Sequence, residues 1–162
     1  MRRCALLHTS LAFRKCVKGT FHALHARTLS HATENVGKVR QAFLEAVGES
    51  EITTNQTEGH HGNMILVLEA TVEDDASIRH FFDKLSTNDL ETIIRTLPSR
   101  IDDGCNLFIR LDKQLAFAGK IQLGQNDDVI SIRLRVRSFP AKPELASKKV
   151  QEYIEAILHE RS

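Results

Sequence analysis

The sequence predicts an α+β domain of two layers, in which helices pack on one face of a largely antiparallel sheet. Segments with a two-residue alternation of apolar and polar side chains follow one another closely, which is typical of hairpins. Segments with apolar residues three and four apart are grouped, which favours an α+β architecture over a regular β-α-β repeat. A chain of 162 residues with 41% hydrophobic residues suits one domain with its own core, predicted over residues 21–162.

The first half is predicted to contain three strands and one helix. Residues 21–30, FHALHARTLS, form the first strand. The pair Thr33-Glu34 starts a helix that ends at Gly48, because threonine is a good N-cap and glycine a common C-terminal residue. Residues 51–55 form a short polar strand, and residues 63–72, NMILVLEATV, form the clearest interior strand.

The second half is predicted to contain three helices and three strands. Asp74-Asp75 begins one helix, and Ser86 caps the next, which ends before Pro98. Three strands of a meander follow between residues 105 and 138, and the last helix runs from the Pro143 region to about His159. The complete predicted order is β-α-β-β-α-α-β-β-β-α.

The meander carries the most informative pattern in the chain. Its last run alternates an apolar set with a polar set, and its first run does the same. The apolar sets are Ile130, Ile132, Leu134 and Val136, and Leu107, Ile109 and Leu111. The opposite sets include Arg133, Arg135 and Arg137, and Phe108 and Arg110. Between the runs, QLAFAGKIQLGQNDD contains two glycines and an Asn-Asp-Asp turn former.

Two interpretations of the arginine-bearing face remain open. Arginines two apart on a strand lie about 6.7 Å apart, so they can offer guanidinium groups to successive phosphates, while Phe108 stacks on a base. Alternatively, the face is ordinary solvated sheet surface whose arginine stems cover apolar atoms. Strand order does not follow from sequence, so the pattern does not place Phe108 beside the arginines.

Three blocks of sequence resemble a known family. They are HATEN from His31, EGHHGNMI at residues 58–65, and RIDDGCNLFIRLDKQLAFAGKIQL at residues 100–123. In this order they resemble an archaeal family of small RNA-binding proteins, also described as predicted exosome subunits. The resemblance implies RNA binding and a fold similar to the large-subunit ribosomal protein that holds the 5S RNA. The resulting candidate RNA-binding residues are His60, Asn63, Phe108, Arg110, Lys113, Gln114, Arg133, Arg135 and Arg137.

Charge restricts how such a protein can bind a polyanion. The net charge is +1, but the first twenty residues carry five basic and no acidic residues, which leaves 17 basic against 21 acidic in the remainder. A mildly acidic domain must therefore bind nucleic acid through a local basic patch. Residues 1–20 are predicted to be a flexible basic extension or a presequence. In the sequence, no apolar run approaches the roughly 20 residues that a membrane span requires.

Metal and enzyme chemistry are weakly represented. The spacing of Cys4, Cys16 and Cys105 fits neither a zinc site nor a disulfide framework, so a reducing, cytoplasmic setting is predicted. The adjacent pair His60-His61 is predicted to form a structural corner, because neighbouring histidines rarely both reach one ion. The sequence contains no GxSxG, Walker, HExxH or GxGxxG motif. We therefore predict no metal, cofactor or catalytic residue.

The predicted function is that of a non-catalytic RNA-binding accessory factor in RNA processing or degradation, or in ribosome assembly. RNA is the expected partner, with exosome or ribosomal components as further candidates and no membrane. One alternative is a protein-interaction subunit of an RNA-processing complex that never touches RNA. Another is a small metal-dependent nuclease. Hydrolysis would need paired carboxylates in a cleft, and the acids beside Arg100 and Arg110 are instead predicted to form ion pairs that fix the meander.

Overall fold

Five antiparallel strands and six helices make up residues 19–162, the part of the chain that the computed structural model describes. Most of the predicted basic extension, residues 1–18, lies outside the described residues. The strands are β1 Phe21–Ser30, β2 Thr53–Glu58, β3 Met64–Val72, β4 Asn106–Asp112 and β5 Val129–Val136. The helices are α1 Val36–Val47, α2 Asp75–Lys84, α3 Thr87–Arg95, α4 Leu97–Arg100, α5 Lys113–Phe117 and α6 Pro143–Arg161.

The strand order in the sheet is β2-β3-β1-β5-β4, and every neighbouring pair is antiparallel. The first strand of the chain therefore lies at the centre, between β3 and β5. One face of each of the three strands β1, β5 and β4 is buried under the helices, while the opposite face is largely exposed. This arrangement confirms the predicted α+β fold with a largely antiparallel sheet and helices on one face.

The core lies between the sheet and the helices. An aromatic cluster at its centre joins Phe21 of β1, Phe82 of α2 and Tyr153 of α6, with ring centroids 5.0–5.5 Å apart. Cys105 is buried as a small apolar side chain just before β4. Arg79 of α2 ties the outer helices together, because it pairs with Glu160 of α6 at 2.5 Å. Among residues 19–162, no helix has both the length and the apolar character that crossing a membrane requires.

Helix starts agree with the capping residues in two of three cases. Asp74 accepts a hydrogen bond from the backbone of Ser77, and Ser86 accepts one from Asp89 N, as predicted for α2 and α3. The start of α1 was predicted wrongly, because Asn35 instead of Thr33 is the N-cap and accepts from Lys38 N. Glu34 remains outside the helix, where its side chain serves another partner described below.

The predicted third strand of the meander is wrong. After β4 the side chain of Asp112 accepts a hydrogen bond from Leu115 N at 2.9 Å and so caps α5. The chain then returns along the free edge of β4 with only an isolated bridge between Leu111 and Leu123. Gly124 permits this close approach, because a Cβ atom there would lie 2.8 Å from the backbone nitrogen of Asp112. Strand β2 also runs from Thr53 to Glu58, later than predicted.

Candidate nucleic-acid interface

The outer face of the sheet, opposite the helices, brings one aromatic and one basic residue into direct contact range. Phe108 of β4 lies opposite Arg133 of β5 in the strand register. Side chains at such positions have Cβ atoms about 4.5–5.5 Å apart. Phe108 is 43% exposed although it is a large apolar residue. The structure thus places the aromatic ring beside the central arginine, which the sequence pattern alone did not do.

The same row continues across the sheet. Arg133 lies opposite His25 of β1, and His25 lies opposite Thr71 of β3. The Nδ1 atom of His25 is 3.0 Å from Oγ1 of Thr71, so a hydrogen bond orients the imidazole. Four neighbouring strands therefore present an aromatic ring, a guanidinium, an imidazole and a hydroxyl in one line. At about 4.8 Å per strand the line is roughly 14 Å long.

A second row runs beside the first and changes sign along its length. Arg110 of β4 lies opposite Ser131 of β5, which lies opposite Arg27 of β1. Arg27 pairs with Glu69 of β3, with Nε and Oε1 3.7 Å apart. The outer face is therefore basic over β4, β5 and β1. The basic surface ends at β3, where Glu69 carries a negative charge.

The two rows border an open groove of about 660 Å³ on the outer face. Its lining includes residues from all five strands or their ends: His25, Arg27, Glu51, Thr53, Glu69, Thr71, Phe108, Ser131 and Arg133. Single strands of nucleic acid bind in positively charged grooves that carry aromatic side chains. The groove meets that description, and it lies on the face that the core does not use.

Two further arginines extend the basic surface beyond the groove. Arg135 lies opposite Asn106, and Arg137 follows the end of β5. The backbone of Arg137 remains attached to the sheet, because its N–H donates to the carbonyl of Thr20 at 2.8 Å. Lys149 Nζ donates to the carbonyl of Arg137 at 2.5 Å. Arg133, Arg135 and Arg137 are all exposed.

Electrostatics at the centre of the face act on His25. Partial burial lowers its pKa from the ordinary 6.5, and the positive charges of Arg133 and Arg135 lower it further. Glu73 opposes this shift, and Thr71 holds the ring without adding charge. The imidazole is therefore predominantly neutral near pH 7, when nothing negative occupies the face.

This shift predicts a pH dependence of stability. The pKa of His25 in the folded protein lies below its unfolded value, so the unfolded chain binds more protons as the pH falls. Relative to His25→Gln, the wild type should lose stability as the pH decreases through about 6.5. Urea denaturation of both proteins between about pH 7.5 and pH 5.5 measures the difference. A constant difference over this range would contradict the burial of His25 among cations.

Two predicted binding residues lie away from the outer face. Lys113 begins α5 and is only 2% exposed. Its Nζ donates to the carbonyl of Leu29 at 2.9 Å, lies 2.9 Å from Oε1 of Glu34 and contacts Asp128. We call these groups the Lys113 cluster. Its ammonium is enclosed by its own partners, so the structure argues against the predicted contact between Lys113 and RNA.

Gln114 is exposed but belongs to the edge of the same cluster. Its Nε2 donates to Oδ2 of Asp128 at 3.1 Å. Burial opposes ionisation of Asp128, yet hydrogen bonds from Lys113 and Gln114 outweigh it and hold the pKa of this carboxyl below 3.8. The cluster joins the end of β1, the loop before α1 and the start of β5, so its first role is structural.

His60 and Asn63 lie in the turn between β2 and β3. The turn closes through Gly59 N to Asn63 O at 2.7 Å and Gly62 N to Gly59 O at 3.0 Å. His60 and His61 contact each other edge to face, with centroids 5.4 Å apart. Within the described residues, no three His, Cys, Asp or Glu side chains are arranged to hold a metal ion. The turn lies at the same end of the sheet as the Lys113 cluster, because Ser30 pairs with Leu66.

The structure adds binding candidates that the sequence analysis did not select. His25, Arg27, Thr71 and Ser131 line the groove beside the predicted residues. The alternation of β1 does put His25 and Arg27 on one face, and this signal was available in the sequence. Their proximity to Arg133 was not, because it depends on the central position of β1 in the sheet.

Comparison with known proteins gives the following similarities. A family model described as RNA binding matches residues 23–136. This range includes nearly all of β1 and the whole of β2, β3, β4 and β5. A Pyrococcus abyssi protein named as an RNA-binding protein is 34% identical over 145 residues, which cover 83% of this chain and 94% of that protein. A crystal structure from Archaeglobus fulgidus, described as DUF54, is 30% identical with a TM-score of 0.74 and covers 82% of this chain and 99% of that chain. A DUF54 structure from Methanothermobacter thermautotrophicus is 28% identical with a TM-score of 0.72 and covers 83% and 98%.

Proposed function

Because the chain belongs to the RNA-binding family, we propose that it binds single-stranded RNA on the outer face of its sheet. The observation that carries the proposal is the pairing of exposed Phe108 with Arg133 at the groove. A base stacks on the ring, and the adjacent guanidinium binds a phosphate of the same strand. Arg110 and Arg135, on either side of this pair, bind further phosphates.

The geometry favours single strands over duplexes. An A-form duplex keeps its bases stacked inside and presents phosphates and a shallow minor groove. Phe108 lies on a strand within the sheet, so it cannot insert between paired bases without deforming the duplex. Unpaired bases can reach the ring directly, and sheets with exposed aromatics bind two or three bases in this way.

The described residues offer binding chemistry and no assembled catalytic set. The Lys113 cluster keeps its charged groups paired with one another. Two carboxylates, those of Glu51 and Glu69, line the groove, and Glu69 is paired with Arg27. We therefore propose a non-catalytic role for the protein as an accessory factor in RNA processing, degradation or ribosome assembly. The exosome and the ribosome are candidate assemblies, and the cytoplasm is the proposed compartment.

The direct test is fluorescence anisotropy with a labelled single-stranded RNA and a duplex of equal length. We expect tighter binding of the single strand, and we expect Phe108→Ala to weaken it by about 1–3 kcal/mol. Because stacking is not ionic, this loss should be nearly the same at low and high salt. Phe117→Ala is the matched control, since Phe117 is also a partly exposed phenylalanine but lies on α5.

Two outcomes would contradict the proposal. Equal affinity for single strand and duplex would show that the aromatic ring contributes nothing to recognition. Absence of RNA binding would favour the protein-interaction subunit, in which the same face contacts a protein. Ultraviolet crosslinking of the purified protein to cellular RNA separates these two cases, because a docking subunit without RNA contact yields no crosslinked RNA.

A further inference from the structure

A second aromatic residue is even more exposed than Phe108. Phe139 is 99% exposed, which is the highest value among the large hydrophobic side chains of the described residues. It follows the end of β5 by three positions and Arg137 by two. Fully exposed phenylalanine forgoes the burial that normally stabilises such a side chain. Phe139 therefore contributes little to folding through its own packing.

The backbone around Phe139 is nevertheless held in place. On the preceding side, Arg137 N donates to Thr20 O at 2.8 Å, and Arg137 O accepts from Lys149 Nζ. On the following side, Pro140 O accepts from Ser138 Oγ at 2.9 Å and from Lys142 N at 2.9 Å. The ring is thus presented to solvent by an anchored segment.

We propose that Phe139 is a second base-stacking residue, at the far end of an RNA track that runs along β5. This inference rests on the proposed RNA-binding function. Phe108 lies beside Arg133 at one end of the track, and Phe139 follows Arg137 at the other. Arg133 and Phe139 are six positions apart, so at most about 20 Å of extended chain separates them. The phosphates between the two stacked bases lie over Arg133, Arg135 and Arg137.

The charges near Phe139 favour RNA over a protein as its partner. Arg137 and Lys142 flank the ring in sequence, and both are exposed. Isolated aromatic rings among cations are suited to single-stranded nucleic acid, because every base has a face that stacks and every nucleotide has a phosphate. Phe139 lies just beyond the end of β5, the strand that carries Arg133 and Arg135, so it follows directly on this row of cations.

Single tryptophan reporters give a direct test, because the chain contains no tryptophan. In the full-length protein, Phe108→Trp and Phe139→Trp each introduce one fluorophore at one end of the track. The probe is an unlabelled single-stranded RNA that is long enough to reach both ends of the track. We expect it to quench the fluorescence of both reporters at the same RNA concentration. Phe139→Ala and Phe139→Leu should each weaken binding about 5- to 150-fold, whereas Phe139→Trp should retain affinity.

The outcomes separate this inference from the function on which it rests. Quenching of the Phe108→Trp reporter without quenching of the Phe139→Trp reporter would overturn the second stacking site and leave RNA binding on the groove intact. Wild-type affinity of Phe139→Leu would also overturn it, because leucine keeps apolar surface but has no ring. If RNA does not bind the wild type, or if it quenches neither the Phe108→Trp nor the Phe139→Trp reporter, the proposed function itself is overturned. Unchanged thermal melting of the alanine variant is expected, since the side chain is exposed.

Discussion

Replacing Arg133, Arg135 and Arg137 together by alanine is expected to flatten the salt dependence of RNA binding by about 2 in the slope of log affinity against log salt. Each phosphate contact with a single strand contributes about 0.7 to that slope, because binding releases condensed counterions. The three side chains are exposed, and the domain without its first twenty residues is net acidic. A local patch must therefore supply most of the ionic attraction.

The triple variant should lose a similar amount of affinity for RNAs of different sequence, since contacts to phosphates carry no information about the bases. Salt titrations of wild type and triple variant, with folding checked by circular dichroism, measure the slopes. Arg40→Ala with Arg95→Ala is the matched control, because both arginines are exposed on helices instead of the outer face. An unchanged slope in a folded triple variant would remove the arginines from the RNA interface.

Replacing Lys113 by alanine is expected to lower the free energy of unfolding by about 3 kcal/mol, the lower end of the range for breaking a buried ion pair. The variant leaves Glu34, Asp128 and the carbonyl of Leu29 without the ammonium that they share. The two carboxylates are only partly buried, so water can recover part of the loss. Lys120→Ala is the control, because Lys120 is exposed in the same segment.

The destabilisation by Lys113→Ala should also depend on pH. Lys113 and Gln114 hold the pKa of Asp128 below 3.8 in the folded protein, despite the opposing effect of burial. The stability from this carboxylate is complete above about pH 4 and is lost as the pH falls through the folded pKa. Chemical denaturation at neutral and at acidic pH should therefore give a smaller difference between wild type and variant in acid. A difference that grows in acid would contradict the assignment.

The alternation in β4 and β5 was sufficient to predict which side chains face the helices. Ile109 and Ile132 are buried and Phe108 and Arg133 are exposed, as the two-residue period requires. The starts of α2 and α3 could be predicted from their capping residues for a similar reason. The capping side chain accepts a hydrogen bond from a backbone N–H only three residues later in the chain. Local patterns therefore predicted these faces and these two helix starts, although the N-cap of α1 was placed two residues too early, at Thr33 instead of Asn35.

Predictions that depend on distant parts of the chain were incomplete. The position of β1 between β3 and β5 follows from pairing across more than a hundred residues, and it alone puts His25 beside Arg133. Lys113 was selected from the family resemblance, and its burial depends on a pairing with Glu34, which lies 79 positions away in the chain. The roles of the candidate residues in RNA binding stay predictions.

The division of the central strands into a packed face and a solvated face has an evolutionary consequence. On β5, the side chains that fill the core and those that meet solvent alternate, so a change at Ser131 or Arg135 does not alter packing at Ile132 or Leu134. Exposed substitutions of this kind usually change stability by about 0.5 kcal/mol or less. Descendants of one ancestral fold can therefore vary the outer face almost independently of the core. Divergence in ligand preference needs no compensating mutation beneath the sheet.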